Sequence, residues 1–331
     1  MPSVNPDGFP YEKLSISRFR FTLWAETDVV FHSLPASHWR SALGSLLYDV
    51  SGQSIPKYHE TTYQELFNPQ PRSSTDKRDP VRPIMLHADP WKPTTLSAGS
   101  FFYLEVSIFG NYLRGIETLL HAVLSLQSLG LGNKKSHSGG QFRVLSLDQA
   151  LPDQKPQRHY DPWQYTTPHH WATPILNSLS THPLESWLRS NMAEPNGKQN
   201  IFLRFTRPLN FKIKGKPIQA ENFTFSEFIR ALYRRNVDLF LNFGEGELLF
   251  PDLEDLLDEA RKVQIFSKNI WYKNDLSRYS ARQLQELKLS GMIGEWGLKD
   301  VSQPLRRFLE AGSFTHCGKN TVLGLGKYEL Y

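Results

Sequence analysis

Apolar and polar residues alternate strictly over Ser17–Trp24 (SRFRFTLW), which puts Phe19, Phe21 and Leu23 on one face and Arg18, Arg20 and Thr22 on the other. A period of two predicts a strand with one core face and one basic face. After a loop containing Pro35 the period changes. In SHWRSALGSLLYDV, with Ser37 as the predicted cap, Trp39, Leu43, Leu46, Leu47 and Val50 form a single stripe at helical spacing. A second strand-like run, Ser100–Phe109, precedes an amphipathic stretch over Leu113–Leu126 and the glycine-rich LGLGNKKSHSGGQFRVLSL. The order strand, helix, irregular middle, strand, helix, glycine loop, strand predicts an α+β fold, an antiparallel sheet with helices on one face.

Periodicity fades over 151–198, which holds seven prolines and the histidines His159, His169, His170 and His182, with a short helix predicted near Leu184–Arg189. Such a stretch reads as a connecting region. The pattern restarts at Asn200–Phe211, where Ile201, Leu203 and Phe205 oppose Phe202, Arg204 and Thr206. A helix over Thr224–Asn236, the acidic amphipathic PDLEDLLDEARKV, the strand-like IFSKNIWYK and a final glycine loop with a last strand complete the chain. The string LGLG occurs at 129–132 and again at 323–326, each time beside lysine and before a strand. Together with the matching element order, this predicts two copies of one fold: an N-terminal domain over 1–150, a connecting region over 151–198 and a C-terminal domain over 199–331.

The net charge of +5 favours a polyanionic partner only mildly. Cys317 is the single cysteine, which rules out an intrachain disulfide and a cysteine-rich zinc site and points to a reducing compartment, with the cytoplasm expected. The opening MPSVNPDGFPYEKL lacks the features of a signal peptide, and no apolar run reaches the roughly eighteen residues of a membrane span.

Local charge says more than the total. Lys198, Arg204, Arg207, Lys212, Lys214 and Lys216 fall between Pro195 and Ala220 with no acidic residue among them, while Lys268, Lys273, Arg278 and Arg282 interleave with Trp271, Tyr272 and Tyr279. Cations among stackable rings suit a nucleic-acid backbone with exposed bases. The terminal HCGKNTVLGLGKYELY adds Gly318, Lys319, Asn320, Thr321, Gly324, Gly326 and Lys327. Glycines let backbone amides approach an anion and lysines add charge, so the loop reads as a phosphate grip, with a tight turn as the alternative. It is neither a Walker loop, since no GK[ST] opens a helix, nor a dinucleotide fingerprint, since a strand follows.

At these residues the chain resembles a known family. RYSARQLQELKLSGMIGEW and PLRRFLEAGSFTHCGKNTVLGLGKYEL resemble the C-terminal domain of the CRISPR repeat-processing endoribonucleases of the RAMP superfamily, and LPASHWRSALGSLL, YQELF and SLGLGNKKSHSGGQFRV resemble their N-terminal domain. The resemblance implies two tandem ferredoxin-like domains and cofactor-free, metal-independent cleavage of CRISPR repeat RNA. In that reaction a ribose 2′-hydroxyl attacks the adjacent phosphate, leaving a 2′,3′-cyclic phosphate and a 5′-hydroxyl. Repeat RNA is the implied partner, with other CRISPR effector subunits after it. The rival reading is a subunit that holds guide RNA after losing cleavage, and a generic single-strand RNA binder is the third. Relatives with this C-terminal domain often carry cysteines after the first helix, and this chain has none there, which argues against a metal-stapled subdomain.

Such cleavage needs a base, an acid and donors for the phosphorane. Histidine can fill either proton role. The resemblance points to His38 in the first turn of the first helix, where the helix N-terminus would lower its pKa and keep it neutral. Other members use a tyrosine from this helix with a following lysine and histidine, which here gives Tyr48, Lys57 and His59. Ten residues of helix separate His38 from Tyr48 by about 15 Å, so the two sets are alternatives. The expected RNA contacts are Arg204, Lys212, Lys214, Lys268, Lys273, Arg278, Arg282, the terminal loop and His316 just before it. His159, His169, His170 and His182 are not expected to hold a metal, because adjacent histidines on an extended chain face opposite ways.

Overall fold

The alternation of SRFRFTLW is realised as strand β1 (Ser15–Ala25), with Phe19, Phe21 and Leu23 buried and Arg20 exposed on the opposite face. The computed structural model describes residues 8–48, 58–69, 80–131, 139–162, 178–190, 199–213, 216–273, 276–280 and 285–331. The chain divides into two units, Ser15–His182 and Met1–Leu14 with Pro183–Tyr331. The boundaries thus fall at Leu14 and His182, where the sequence reading set 150 and 199.

In the unit Ser15–His182, β1 is followed by β2 (Val29–Phe31), α1 (Pro35–Tyr48), α2 (Tyr58–Phe67), β3 (Ile84–Asp89), β4 (Thr94–Leu96), β5 (Phe101–Phe109), α3 (Leu113–Leu129), β6 (Phe142–Ala150) and β7 (Gln157–Tyr160), with β8 (His182–Pro183) at the boundary. The sheet runs β3-β5-β1-β6-β7, and these pairings are all antiparallel. Trp39, Leu43 and Leu47 of α1 and Leu119, Leu120 and Val123 of α3 are buried, as the helical stripes require. Trp39 meets Phe142 and Phe102 with ring centroids 5.5 and 6.5 Å apart. On the outward face Arg20 stands between Glu105 and Asp148 of the neighbouring strands, 3.7 Å from Glu105, and stacks 4.0 Å over the Tyr103 ring, so this face carries both signs where the strand alone read as basic.

Two local readings change. Helix α1 begins at Pro35 rather than after Ser37, with the Ser37 N–H donating to the Leu34 carbonyl at 2.8 Å. Proline suits the first helical position, where its missing N–H costs nothing. The stretch 151–198 is also more than a spacer, since it contributes β7 to the sheet. Here His159 Nε2 lies 3.1 Å from Gln149 Oε1, His159 Nδ1 lies 2.9 Å from Ser178 Oγ, and Gln149 Nε2 donates to the Ser180 carbonyl at 2.6 Å. Buried polar groups joined to one another hold this region, so an apolar period could not reveal it.

In the other unit, α4 (Leu184–Ser190) and β9 (Gln199–Leu209) precede β10 (Lys212–Ile213), β11 (Lys216–Pro217), α5 (Phe225–Phe243) and α6 (Leu253–Lys262). Then come β12 (Gln264–Lys273), β13 (Ser277–Ser280), β14 (Gln285–Lys288), β15 (Gly291–Val301), α7 (Gln303–Thr315) and β16 (Tyr328–Leu330). The main sheet runs β12-β15-β9-β16, while β10–β11 and β13–β14 are separate two-stranded ladders. Thr224 caps α5 through the Glu227 amide at 3.2 Å, and Asp252 caps α6 through the Glu254 amide at 2.9 Å. Helix α5 outruns its predicted end at Asn236 because Leu239 and Phe240 extend the buried stripe.

The segment before β1 belongs to this unit for a plain reason. Phe9 is fully buried, with its ring 5.1 Å from Phe308 and 5.6 Å from Tyr233. Tyr11 lies under the Arg307 guanidinium at 5.5 Å, and Arg307 also pairs with Glu185 of α4.

Each unit has the order strand, helix, strand, strand, helix, strand. In each, the second, third, first and fourth of these strands lie side by side in that sequence. That is the ferredoxin-like arrangement, present twice in an α+β chain.

Candidate active site

His38 sits at the fourth residue of α1, half-buried, with the turn from β2 folded around it. The Phe31 ring meets the imidazole edge-on with centroids 5.5 Å apart, and Ser33 Oγ lies 3.1 Å from Nε2. Burial lowers the His38 pKa below 6.5, and a charge on nearby His32 lowers it further. The imidazole is therefore neutral at neutral pH, with burial and His32 as the causes where the sequence suggested the helix N-terminus. A neutral imidazole fixed at one nitrogen by a hydroxyl is equipped to accept a proton.

His32 itself is exposed. Sequence reasoning passed over it, because residues 32 and 38 meet only through the turn at Leu34–Pro35. The available signal was the pair of histidines in FHSLPASH, bracketing a proline at a helix start.

The second predicted set is only partly placed. Tyr48 is the last residue of α1, the same helix that carries His38, so the separation of about 15 Å along the axis stands. His59 falls in the first turn of α2. Lys57 and the side chains of Tyr48 and His59 lie outside the described residues.

The terminal glycine loop is knitted into the fold. The amides of Cys317, Lys319, Leu323, Gly324 and Gly326 donate to the carbonyls of Gly326, Asn210, Asn320, Thr321 and Pro208. A Cβ at Gly326 (φ +70°) would sit 1.7 Å from the Cys317 carbonyl oxygen, and one at Gly318 (φ +85°) 2.4 Å from that of Asn210. The glycines thus serve backbone close to backbone. Thr321, Gly324 and Gly326 are buried, Gly318 and Asn320 are half-buried, and Lys319 is exposed. Lys327 is partly exposed, 3.8 Å from Glu329. The earlier loop is built in a similar way: Leu131 and Gly140 exchange both backbone hydrogen bonds at 2.9 Å, and Gly130 (φ +77°) lies against Gly139.

His316 is corrected. Expected as an RNA contact, it instead caps α7, is 2% exposed, and its Nδ1 lies 3.2 Å from the Leu325 carbonyl oxygen. An imidazole so enclosed cannot touch RNA.

The other cations differ in availability. Lys212 is exposed, and Lys273 is half-buried on β12 beside Trp271, which is 50% exposed. Lys268 Nζ donates to the Ala220 and Phe223 carbonyls at 3.2 and 3.0 Å. Arg204 bonds to Glu295 at 2.9 Å and to the Tyr331 hydroxyl at 2.6 Å, so its charge is already answered. Arg278 lies on β13, while its side chain, Lys214 and Arg282 lie outside the described residues. His169 and His170 lie outside them too. Among the described residues no group of three or more His, Cys, Asp or Glu is placed to hold a metal ion, and no helix is long and apolar enough to cross a membrane.

Residues 14–171 match a family model described as an N-terminal domain, and residues 203–328 match that of the CRISPR-associated endoribonuclease Cas6. No curated protein matches the chain. Among solved structures, a Cas6 product complex superposes with a TM-score of 0.51 at 14% identity, covering 96% of this chain and 99% of that one. Thermus thermophilus Cas6 gives 0.50 at 14% identity, with 96% and 99% covered. A partial Cas6-RT-Cas1–Cas2 complex gives 0.57 at 14% identity over 98% of this chain, which spans 47% of the longer one. At such identities the likeness is one of fold. The Cas6 family model, however, falls on the sheet and glycine loop of the second unit, so that residues 203–328 form a domain of the CRISPR-associated Cas6 endoribonuclease family.

Proposed function

We propose that this Cas6-type endoribonuclease cuts CRISPR repeat RNA without a metal ion, with His38 as the general base. The observation that carries the reading is the neutral, half-buried imidazole held between Ser33 and Phe31 at the start of α1. His38 takes the proton of a ribose 2′-hydroxyl, O2′ attacks the adjacent phosphorus, and the bond from phosphorus to O5′ breaks. A 2′,3′-cyclic phosphate and a 5′-hydroxyl result.

Side chains that reach solvent hold the RNA backbone in this reading, chiefly the exposed Lys319 and Lys212 with the half-buried Lys327 and Lys273, because the loop's amides are largely engaged within the fold. A solved Cas6 chain described as a product complex supports an RNA partner, and the Cas6-RT-Cas1–Cas2 complex supports further CRISPR proteins as partners.

The test is incubation of a labelled repeat RNA with the protein in EDTA, followed by mapping of the product ends. A single cut leaving a cyclic phosphate is expected, and His38→Ala should slow it by about 10²–10⁴-fold. If His38→Ala cuts normally while His59→Ala does not, the base belongs to the set Tyr48, Lys57 and His59.

A further inference from the structure

Transesterification of RNA moves two protons, one off the 2′-oxygen and one onto the departing 5′-oxygen, and His38 accounts for the first alone. Leu34, Pro35, Ala36 and Ser37, which link the β2 turn to His38, carry no group that titrates near neutrality.

The exception is His32. The residues on both sides of it touch His38, Phe31 through its ring and Ser33 through its hydroxyl, so the backbone of residue 32 runs directly past the His38 imidazole. The His32 side chain is exposed, whereas the Phe31 side chain is buried. An exposed imidazole set between two residues that touch His38 is open to a phosphodiester, as the buried Phe31 is not.

We propose that His32 is the general acid of this site, giving its proton to the 5′-oxygen as the repeat is cut. The inference rests on the reading of His38 as base. In the complete step, the 2′-hydroxyl proton passes to His38 and a bond forms from O2′ to phosphorus. The bond from phosphorus to O5′ breaks with its electron pair on O5′, and the imidazolium of His32 protonates that oxygen. Solvent then removes the proton from His38 and restores the one on His32, so the enzyme returns unchanged.

The test uses two repeat RNAs, one natural and one with sulfur replacing the bridging 5′-oxygen at the cut site. A thiolate leaves without being protonated, so the second substrate needs a base but no acid. His32→Ala is expected to slow the natural RNA by at least about 100-fold and to cut the sulfur-bridged RNA within a few-fold of the unaltered enzyme. His38→Ala should be slow on both. An unchanged melting temperature for His32→Ala, expected of an exposed side chain, excludes misfolding, and His32→Gln serves as a second variant. The proposal is overturned if His32→Ala is slow on both substrates or normal on the natural one. Failure of the unaltered enzyme to cut either RNA would instead overturn the nuclease reading, and this inference with it.

Discussion

At His38 the sequence offered a candidate base but not the reason that it is neutral. The lowered pKa comes from burial and from His32, a pairing made by a turn that no linear spacing displays. His316 shows the opposite limit. Its place beside a glycine loop looked functional, yet α7 continues to Thr315 and leaves the ring inside the fold.

Burial also lowers the pKa of His159 and His182, so the folded chain resists three protons that the unfolded chain accepts as pH falls through about 6.5. At these three groups the unfolded state then binds more protons, and their contribution to stability falls as pH drops. Melting at pH 7.5 and at pH 6 should give the lower temperature at pH 6, and an NMR titration should place the His38 midpoint below 6.5. A midpoint at or above 6.5 would remove the physical basis for a neutral base.

The terminal loop decides matters at the scale of an element. Its glycines were legible as a turn, whereas their service to backbone packing was not, because the partners Asn210 and Pro208 lie about a hundred residues away in sequence. Two substitutions separate structure from RNA contact. Gly326→Ala should destabilise the protein by about 1–3 kcal/mol from backbone conformation alone, with the clash against Cys317 added. Lys319→Ala should melt normally but bind RNA more weakly, with the slope of log affinity against log salt reduced by about 0.7. A Lys319→Ala variant with unchanged salt dependence would exclude that lysine as a phosphate contact. The pair of Arg307 and Glu185 ties α4 to α7, and its side chains are only 8% and 12% exposed. Arg307→Ala removes the guanidinium from beside the largely enclosed Glu185 carboxylate, and denaturant titration should show a loss of about 3–5 kcal/mol.

Over the whole molecule, two copies of one topology were readable from the repeated LGLG and from two strands of the same alternating design. The unit boundaries were not readable. Phe9 and Tyr11 join the second unit through isolated aromatic burial, and 151–182 joins the first through β7 and the polar contacts around Gln149 and His159. Neither leaves a periodic trace.

The most direct measurement of the central claim is cleavage of repeat RNA in EDTA by the unaltered protein and by His38→Ala. The account predicts one cut ending in a 2′,3′-cyclic phosphate, lost in the variant while RNA binding persists. Tight binding without any cut by the unaltered protein, or full cleavage by His38→Ala, would contradict it.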